Sequence, residues 1–389
     1  MYHKSLQENN SIDCRYAGMC SGCPWIQLSS ADQLNQKSAG IQYHFSSNGL
    51  SDAPIKSLII EKPMDLHFRE HADLTLHRVN GKTRIGLYDT TRACIIDLEE
   101  CPLMTTELAR WYRVVRAMLP SIQFGHFRIR VAPDGTRGIW LDFPNRVLSY
   151  FLDETNFLRR LSGQARVEIG QRHHSIQFNN TLLECHEPEL FPWFETYTGK
   201  DLTPTTLFSH IGGFAQPGRA MNRALIRKVK SLLDENSHIK NWIELGSGTG
   251  NFTLLLASMG FKVSAIEMHP LSIKGLLKSL SHAKLGGQVQ ILQTNFHQPH
   301  KKIGALFNTG CGMLLDPPRS GMGQFIRVLQ ECEARELPET ILYISCFAES
   351  LARDAASLYI LGYRIMSIQG LDQFPHSTHC EWIVCFSKK

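Results

Sequence analysis

Two residues near the C-terminus carry the most chemistry in this chain. Cys346 follows Tyr343-Ile344-Ser345 at the end of an apolar run, and Glu381 closes Phe374-Pro375-His376-Ser377-Thr378-His379-Cys380-Glu381. A thiolate can add to the electron-poor C6 of a pyrimidine and make the neighbouring carbon nucleophilic. A carboxylate can later take the proton from that carbon. Together they suit methylation of a pyrimidine carbon, provided that the chain also holds a methyl donor.

A donor site is legible in Gly246-Ser247-Gly248-Thr249-Gly250, between an expected strand, Trp242-Ile243-Glu244-Leu245, and a helix over 252–259. Glycines let the backbone turn sharply and approach a ligand, and the helix N-terminus offers free N–H groups. The third glycine comes too early for the dinucleotide spacing. The pattern favours an adenosyl group carrying an amino acid, such as S-adenosylmethionine, over a pyrophosphate. Glu267 ends the next strand, 17 residues after Gly250, where it can accept from both ribose hydroxyls. Asp316-Pro317-Pro318-Arg319 follows an apolar strand at 313–315, and its prolines stiffen the loop that aims Asp316 at the cleft. Phe214-Ala215-Gln216-Pro217 can close the pocket from the other side. The donor-binding candidates are Gln216, Gly246, Gly248, Gly250, Asn251, Glu267, Asn295 and Asp316.

Cys14, Cys20 and Cys23 form a compact cluster, and Cys101, before Pro102, offers a fourth thiolate. Thiolate-only ligation suits zinc or iron–sulfur. The spacing is unlike the paired C-x2-C knuckles of zinc ribbons, which favours iron–sulfur. Cys94 is a rival fourth ligand, but its apolar strand-like surroundings favour burial. The other cysteines (Cys185, Cys311, Cys332, Cys380 and Cys385) read as core or incidental.

A chain of 389 residues suggests two domains. No apolar run approaches the ~20 residues that span a bilayer. Met1-Tyr2-His3-Lys4-Ser5-Leu6-Gln7-Glu8 has no apolar stretch, so no secretion signal is expected. The 11 cysteines then point to a reducing, cytoplasmic compartment. A formal charge of +5 permits a nucleic-acid partner without demanding one. Residues 65–190 read as strands of an antiparallel sheet, with hairpin signals at Asn80-Gly81 and Pro133-Asp134-Gly135 and a helix near 105–119. After about 218 the rhythm changes to helices alternating with short apolar strands, which implies a parallel sheet covered on both faces. The last two strands, about 363–370 and 381–387, are expected to pair antiparallel. Helix 219–233 is basic, and Arg219, Arg223, Arg227 and Lys228 are candidates for holding an RNA backbone. The expected fold is α/β: a Rossmann-like class I methyltransferase domain plus an α+β central domain. The expected divisions are an N-terminal iron–sulfur segment and helix at 1–60, a candidate RNA-binding domain at 61–205 and a catalytic domain at 206–389.

With these motifs in hand, the chain resembles the RNA 5-methyluridine methyltransferase family over nearly its full length. The resemblance rests on Cys14, Cys20, Cys23 and Cys101-Pro102; Phe214-Ala215-Gln216; Gly250-Asn251-Phe252; Asp316-Pro317-Pro318-Arg319; Ser345-Cys346; and Phe374-Pro375-His376 through Glu381. The 35-residue gap from Cys346 to Glu381 also fits. The chain departs from the family at Ser21, at Gly246 (where an aromatic is usual) and at Phe347. The resemblance implies Cys346 as nucleophile, Glu381 as base, S-adenosylmethionine as donor and a 4Fe–4S cluster on the four cysteines. It also implies an RNA substrate, ribosomal rather than transfer RNA, because the chain starts directly at the cluster, without the extra barrel of some relatives. No membrane and no obligate protein partner are expected. Since methyl transfer needs no electron, the cluster is expected to be a structural clip. Two other readings stand beside this one: a methyltransferase for another target, and a non-catalytic iron–sulfur RNA-binding protein. Amino-methylating sites usually show Asn/Asp-Pro-Pro-Tyr/Phe, where this chain has Arg319.

Overall fold

The computed structural model describes residues 12–50, 54, 58–92, 94–142, 155–171, 174–179, 182–296 and 301–388. The stretch read for a secretion signal lies outside them. The first strand, β1 (Ile60–Glu61), belongs to the C-terminal sheet. The next seven make a sheet of their own: β2 (His71–Val79), β3 (Lys82–Gly86), β4 (Phe124–Val131), β5 (Arg137–Asp142), β6 (Arg166–Gln171), β7 (His174–Asn179) and β8 (Leu182–His186). Their order is β3-β2-β4-β5-β6-β7-β8. Neighbours are antiparallel except β5 and β6, which run parallel. Asn80 and Gly81 turn β2 into β3 with φ of 50° and 77°, the left-handed backbone that a two-residue hairpin loop requires. Leu74, Leu76, Phe127, Ile129, Ile139 and Leu141 alternate along their strands. They bury one face against Trp111 and Tyr112 of the helix Thr106–Arg116. Tyr16, beside the cysteines, joins this core.

A hairpin, β9 (Phe191–Thr198) and β10 (Thr203–Ser209), leads into the helix Arg219–Glu235. The C-terminal sheet then adds β11 (Asn241–Leu245), β12 (Lys262–Glu267), β13 (Val289–Gln293), β14 (Gly312–Leu315), β15 (Thr340–Ser345), β16 (Tyr363–Leu371) and β17 (Glu381–Lys388). Its order is β1-β16-β17-β15-β14-β11-β12-β13. Strands β11 to β15 are parallel, and β17 inserts antiparallel between β15 and β16. The expected antiparallel pairing of the last two strands is therefore present. Successive residues of the central strands face opposite cores. Ile243, Met313, Leu315, Ile341 and Tyr343 lie on one side, and Trp242, Leu314, Leu342 and Ile344 on the other. Burial on both faces is why these strands read as unbroken apolar runs.

Two segments reach across the expected divisions. Ile41 and Phe45 of the helix Ser30–Ser47 are buried in the same core as Met313 and Tyr343. Tyr197 and Leu207 of the β9–β10 hairpin pack with Leu225 and Leu254 on the opposite face. No helix among the described residues is long and apolar enough to cross a membrane.

Candidate active site

The chain runs outward from β11 through β12 to β13, then returns to place β14 on the other side of β11. Such a reversal opens a crevice at the carboxyl ends of the strands. Leu245 pairs with Leu315 across that seam, so the residues that follow them, Gly246 and Asp316, face each other. The glycine loop turns with φ of 75° at Gly246, 56° at Gly248 and 107° at Gly250, a region that side chains disfavour. Gly246 and Ser247 donate their N–H groups to the Ile266 carbonyl at 2.9 and 3.0 Å, which fastens the loop to β12.

The cavity above this loop is lined by Gln216, Gly246, Gly248, Asn251 and Asp316, all donor-binding candidates. Glu70, Phe194, Arg219 and Asn222 complete its wall. Asn222 breaks the otherwise apolar buried face of its helix, a polar signal that sequence reading passed over. It exchanges amide hydrogen bonds with Asn251 at 2.9 and 3.0 Å, so Asn251 is held in place rather than left to swing. Glu267 sits just behind the loop. Its carboxylate accepts from Gly248 N at 2.9 Å, Met268 N at 2.8 Å and His269 N at 2.7 Å. Gly250 serves packing: a Cβ there would lie 2.6 Å from Leu254 and 2.7 Å from Leu276. Asn295 follows β13 and is not among the residues lining this cavity. At Gly246 a Cβ would make only an ordinary contact with the Phe296 ring at 3.5 Å, so the φ of 75° rather than crowding is what favours glycine there.

The nucleophile and base candidates meet at the next strand. Ser345 pairs with Trp382, so the next step of the same antiparallel register sets Cys346 beside Glu381. Glu381 is 3% exposed. Burial raises its carboxyl well above the ordinary value, and Asp316 adds to the rise. Burial pushes Asp316 up to about 7. The Cys346 thiol is pushed up to about 11, first by burial, then by Glu381 and Asp316, against the pull of Arg319. Arg319 lies close enough to favour the thiolate and approaches His379 Nε2 at 3.4 Å. Glu244 was read only as part of a strand, yet it is a further buried acid. Its Oε2 accepts from Thr253 Oγ1 at 2.6 Å, and burial drives it up to about 8. Asp316 thus lines the donor cavity and also acts electrostatically on both reaction-centre groups. Cys346 lines a separate cleft, with Trp25, Lys37, His44, Phe347 and His379.

Among the described residues no group of His, Cys, Asp or Glu side chains is set to hold a metal ion. The four cysteines nevertheless converge. Cys14, Cys20 and Cys101 all act on Cys23, whose thiol burial pushes up to about 12. Gly22 N donates to the Cys20 sulfur at 3.4 Å. Cys94 is not among these neighbours. The cations of the basic helix also make ion pairs within the protein. Arg219 pairs with Glu70 at 2.5 Å, Arg227 pairs with Glu61, and Lys228 pairs with Glu61 at 3.1 Å. Three of the four candidate cations are thus paired, and Arg223 lies over the Tyr197 ring.

A family model described as tRNA (uracil-5-)-methyltransferase matches residues 207–389. An uncharacterized RNA methyltransferase of Bdellovibrio bacteriovorus is 32% identical over 384 residues, 97% of this chain and 96% of that protein. The chain belongs to the RNA uracil-C5 methyltransferase family. The methyltransferase also matches the structure of the Pyrococcus abyssi tRNA (uracil-54, C5)-methyltransferase solved with S-adenosyl-L-homocysteine. The TM-score is 0.65 at 19% identity, covering 95% of this chain and 86% of that one, a likeness of fold. The enzyme is thus an S-adenosylmethionine-dependent RNA (uracil-C5) methyltransferase of class I fold.

Proposed function

We propose that this methyltransferase converts uridine to 5-methyluridine in ribosomal RNA through a covalent link between Cys346 and C6 of the uracil. The observation that carries the reading is the β15–β17 register, which sets the thiol beside Glu381 with Asp316 at hand. The sulfur adds to C6, C5 takes up the methyl group, Glu381 accepts the C5 proton, and the C6–S bond breaks to return the thiolate. When bound, S-adenosylmethionine supplies that methyl on a sulfonium whose positive charge favours the ionised forms of the buried acids and thiol. Gln216, Gly246, Gly248, Asn251 and Asp316 would hold it, while Glu267 braces the glycine loop from behind. The cavity supports this: it joins a glycine cradle to a buried carboxylate. A base in folded RNA must be splayed out to reach the pocket, at about a few kcal/mol. The central sheet is proposed to grip the RNA.

The donor set at Cys14, Cys20, Cys23 and Cys101 fits an iron–sulfur cluster. Cys20, Cys23 and Cys101 are half-buried thiols pushed up first by burial and further by neighbouring cysteines, a strain that the cationic core of a cluster would relieve. Its proposed role is a structural clip between the N-terminal segment and the central sheet. We place the enzyme in the cytoplasm, acting without a membrane or an obligate protein partner. Transfer RNA is the second reading, favoured by the family description and by the archaeal relative. Mapping 5-methyluridine in ribosomal and transfer RNA with and without the gene decides between them. Loss of the mark from neither RNA would refute both. Cys346→Ala should abolish turnover, and Glu381→Gln should accumulate a covalent RNA–protein adduct visible on a denaturing gel.

A further inference from the structure

Glu381 is delivered by the loop at 372–380, which has no regular secondary structure of its own. That loop is pinned from the far end of the sequence by one face of the helix Ser30–Ser47. Its buried stripe reads Gln33, Lys37, Ile41, Phe45, one residue every four, polar for two positions and apolar for two. Lys37 Nζ donates to Asp372 Oδ1 at 2.7 Å and to the Phe374 carbonyl at 3.1 Å, and both charged side chains are 0% exposed. Gln33 Nε2 donates to the carbonyls of Trp25 at 3.1 Å and Leu28 at 3.0 Å, while Oε1 accepts from His376 N at 2.8 Å. Trp25 N donates in turn to the His376 carbonyl at 2.9 Å. His376 is held at φ 66°, with Nε2 3.0 Å from the Asp65 carbonyl. A carbonyl only accepts, so Nε2 carries the proton and Nδ1 is left as an acceptor, 3.1 Å from a Gln33 amide nitrogen whose two hydrogens are shared among Trp25, Leu28 and His376.

A buried ion pair is poor value as a stabiliser. Replacing both partners with apolar groups is often neutral or better, whereas the pair fixes direction. We infer that Gln33 and Lys37 are positioning residues of the methyl transfer. They lock the loop so that Glu381 meets the C5 proton, and they tie the cysteine-bearing segment to the reaction centre. The inference rests on Cys346 and Glu381 having the roles proposed above.

The test uses two folded variants, Lys37→Met combined with Asp372→Leu, and Gln33→Met, with RNA bearing 5-fluorouridine or uridine. With fluorine at C5 there is no proton to remove, so the methylated adduct keeps its C6–S bond and accumulates. The double variant should melt near the unaltered enzyme, and Gln33→Met somewhat lower, because it leaves buried backbone groups unpaired. At a temperature where both are folded, each should form this adduct at the unaltered rate. With uridine RNA their kcat should fall about 10²-fold with KM held, the size of loss expected when a reacting group is misplaced by about 1 Å. Unchanged kcat, or adduct formation falling in step with turnover, overturns the inference. Failure of the unaltered enzyme to form the adduct removes the nucleophile assignment, and this inference with it.

Discussion

The Arg319 guanidinium decides how reactive Cys346 can be. Burial, Glu381 and Asp316 hold the thiol up at about 11, and Arg319 is the cation that opposes them. Removing it raises the thiol further, so at any pH below that value a smaller fraction is thiolate. Alkylation of Cys346 by iodoacetamide should therefore climb with pH through the alkaline range. In Arg319→Met the same climb should sit about one pH unit higher. Subtracting the signal of Cys346→Ala isolates the residue, and coincident profiles would remove Arg319 from the site. Sequence reading used Arg319 as the end of the Asp316-Pro317-Pro318-Arg319 motif and to argue against amino methylation, not as a partner of the thiol. Its position beside the sulfur depends on a contact between the β14 loop and the end of β15, which no local pattern encodes.

At the scale of elements, the glycine loop shows how one motif mixes two demands. Gly246 and Gly248 line the cavity, whereas Gly250 exists for the helix Thr253–Ser258 to pack, since its φ is 107° and a Cβ would collide with Leu254 and Leu276. Gly250→Ala should destabilise the protein by roughly 1–3 kcal/mol in urea unfolding. Once folded, it should bind S-adenosylhomocysteine with little change. Selective loss of donor affinity at full stability would contradict this division. The strand–turn–helix signature was readable because periodicity and glycine punctuation are local. Which glycine touches ligand was not, because that depends on Leu276, from a later helix. The same limit separates Asn251, which lines the cavity, from Asn295, which does not.

At the scale of the whole molecule, the N-terminal helix is part of the catalytic core. Phe45 and Ile41 are both 0% exposed among residues of β14 and β15. Phe45→Ala should cost about 3–5 kcal/mol. Its unfolding should stay a single transition seen alike by methyltransferase-domain and whole-chain probes. A separate early transition confined to the N-terminal segment would show the helix to be an appendage.

The amino-acid order by itself determined the chemistry on offer and the class of fold. A thiol, an acid, a glycine loop and alternating apolar strands are written in short stretches, and short-range geometry reads them directly. Tertiary structure alone decided which groups meet. The strand that carries Glu381 runs back between β15 and β16, and only that insertion sets it beside Cys346. Lys37 finds Asp372 across 335 residues of chain, and both vanish from solvent. Burial is a property of the assembled core, so the raised acids and the buried ion pair had no signature in the sequence.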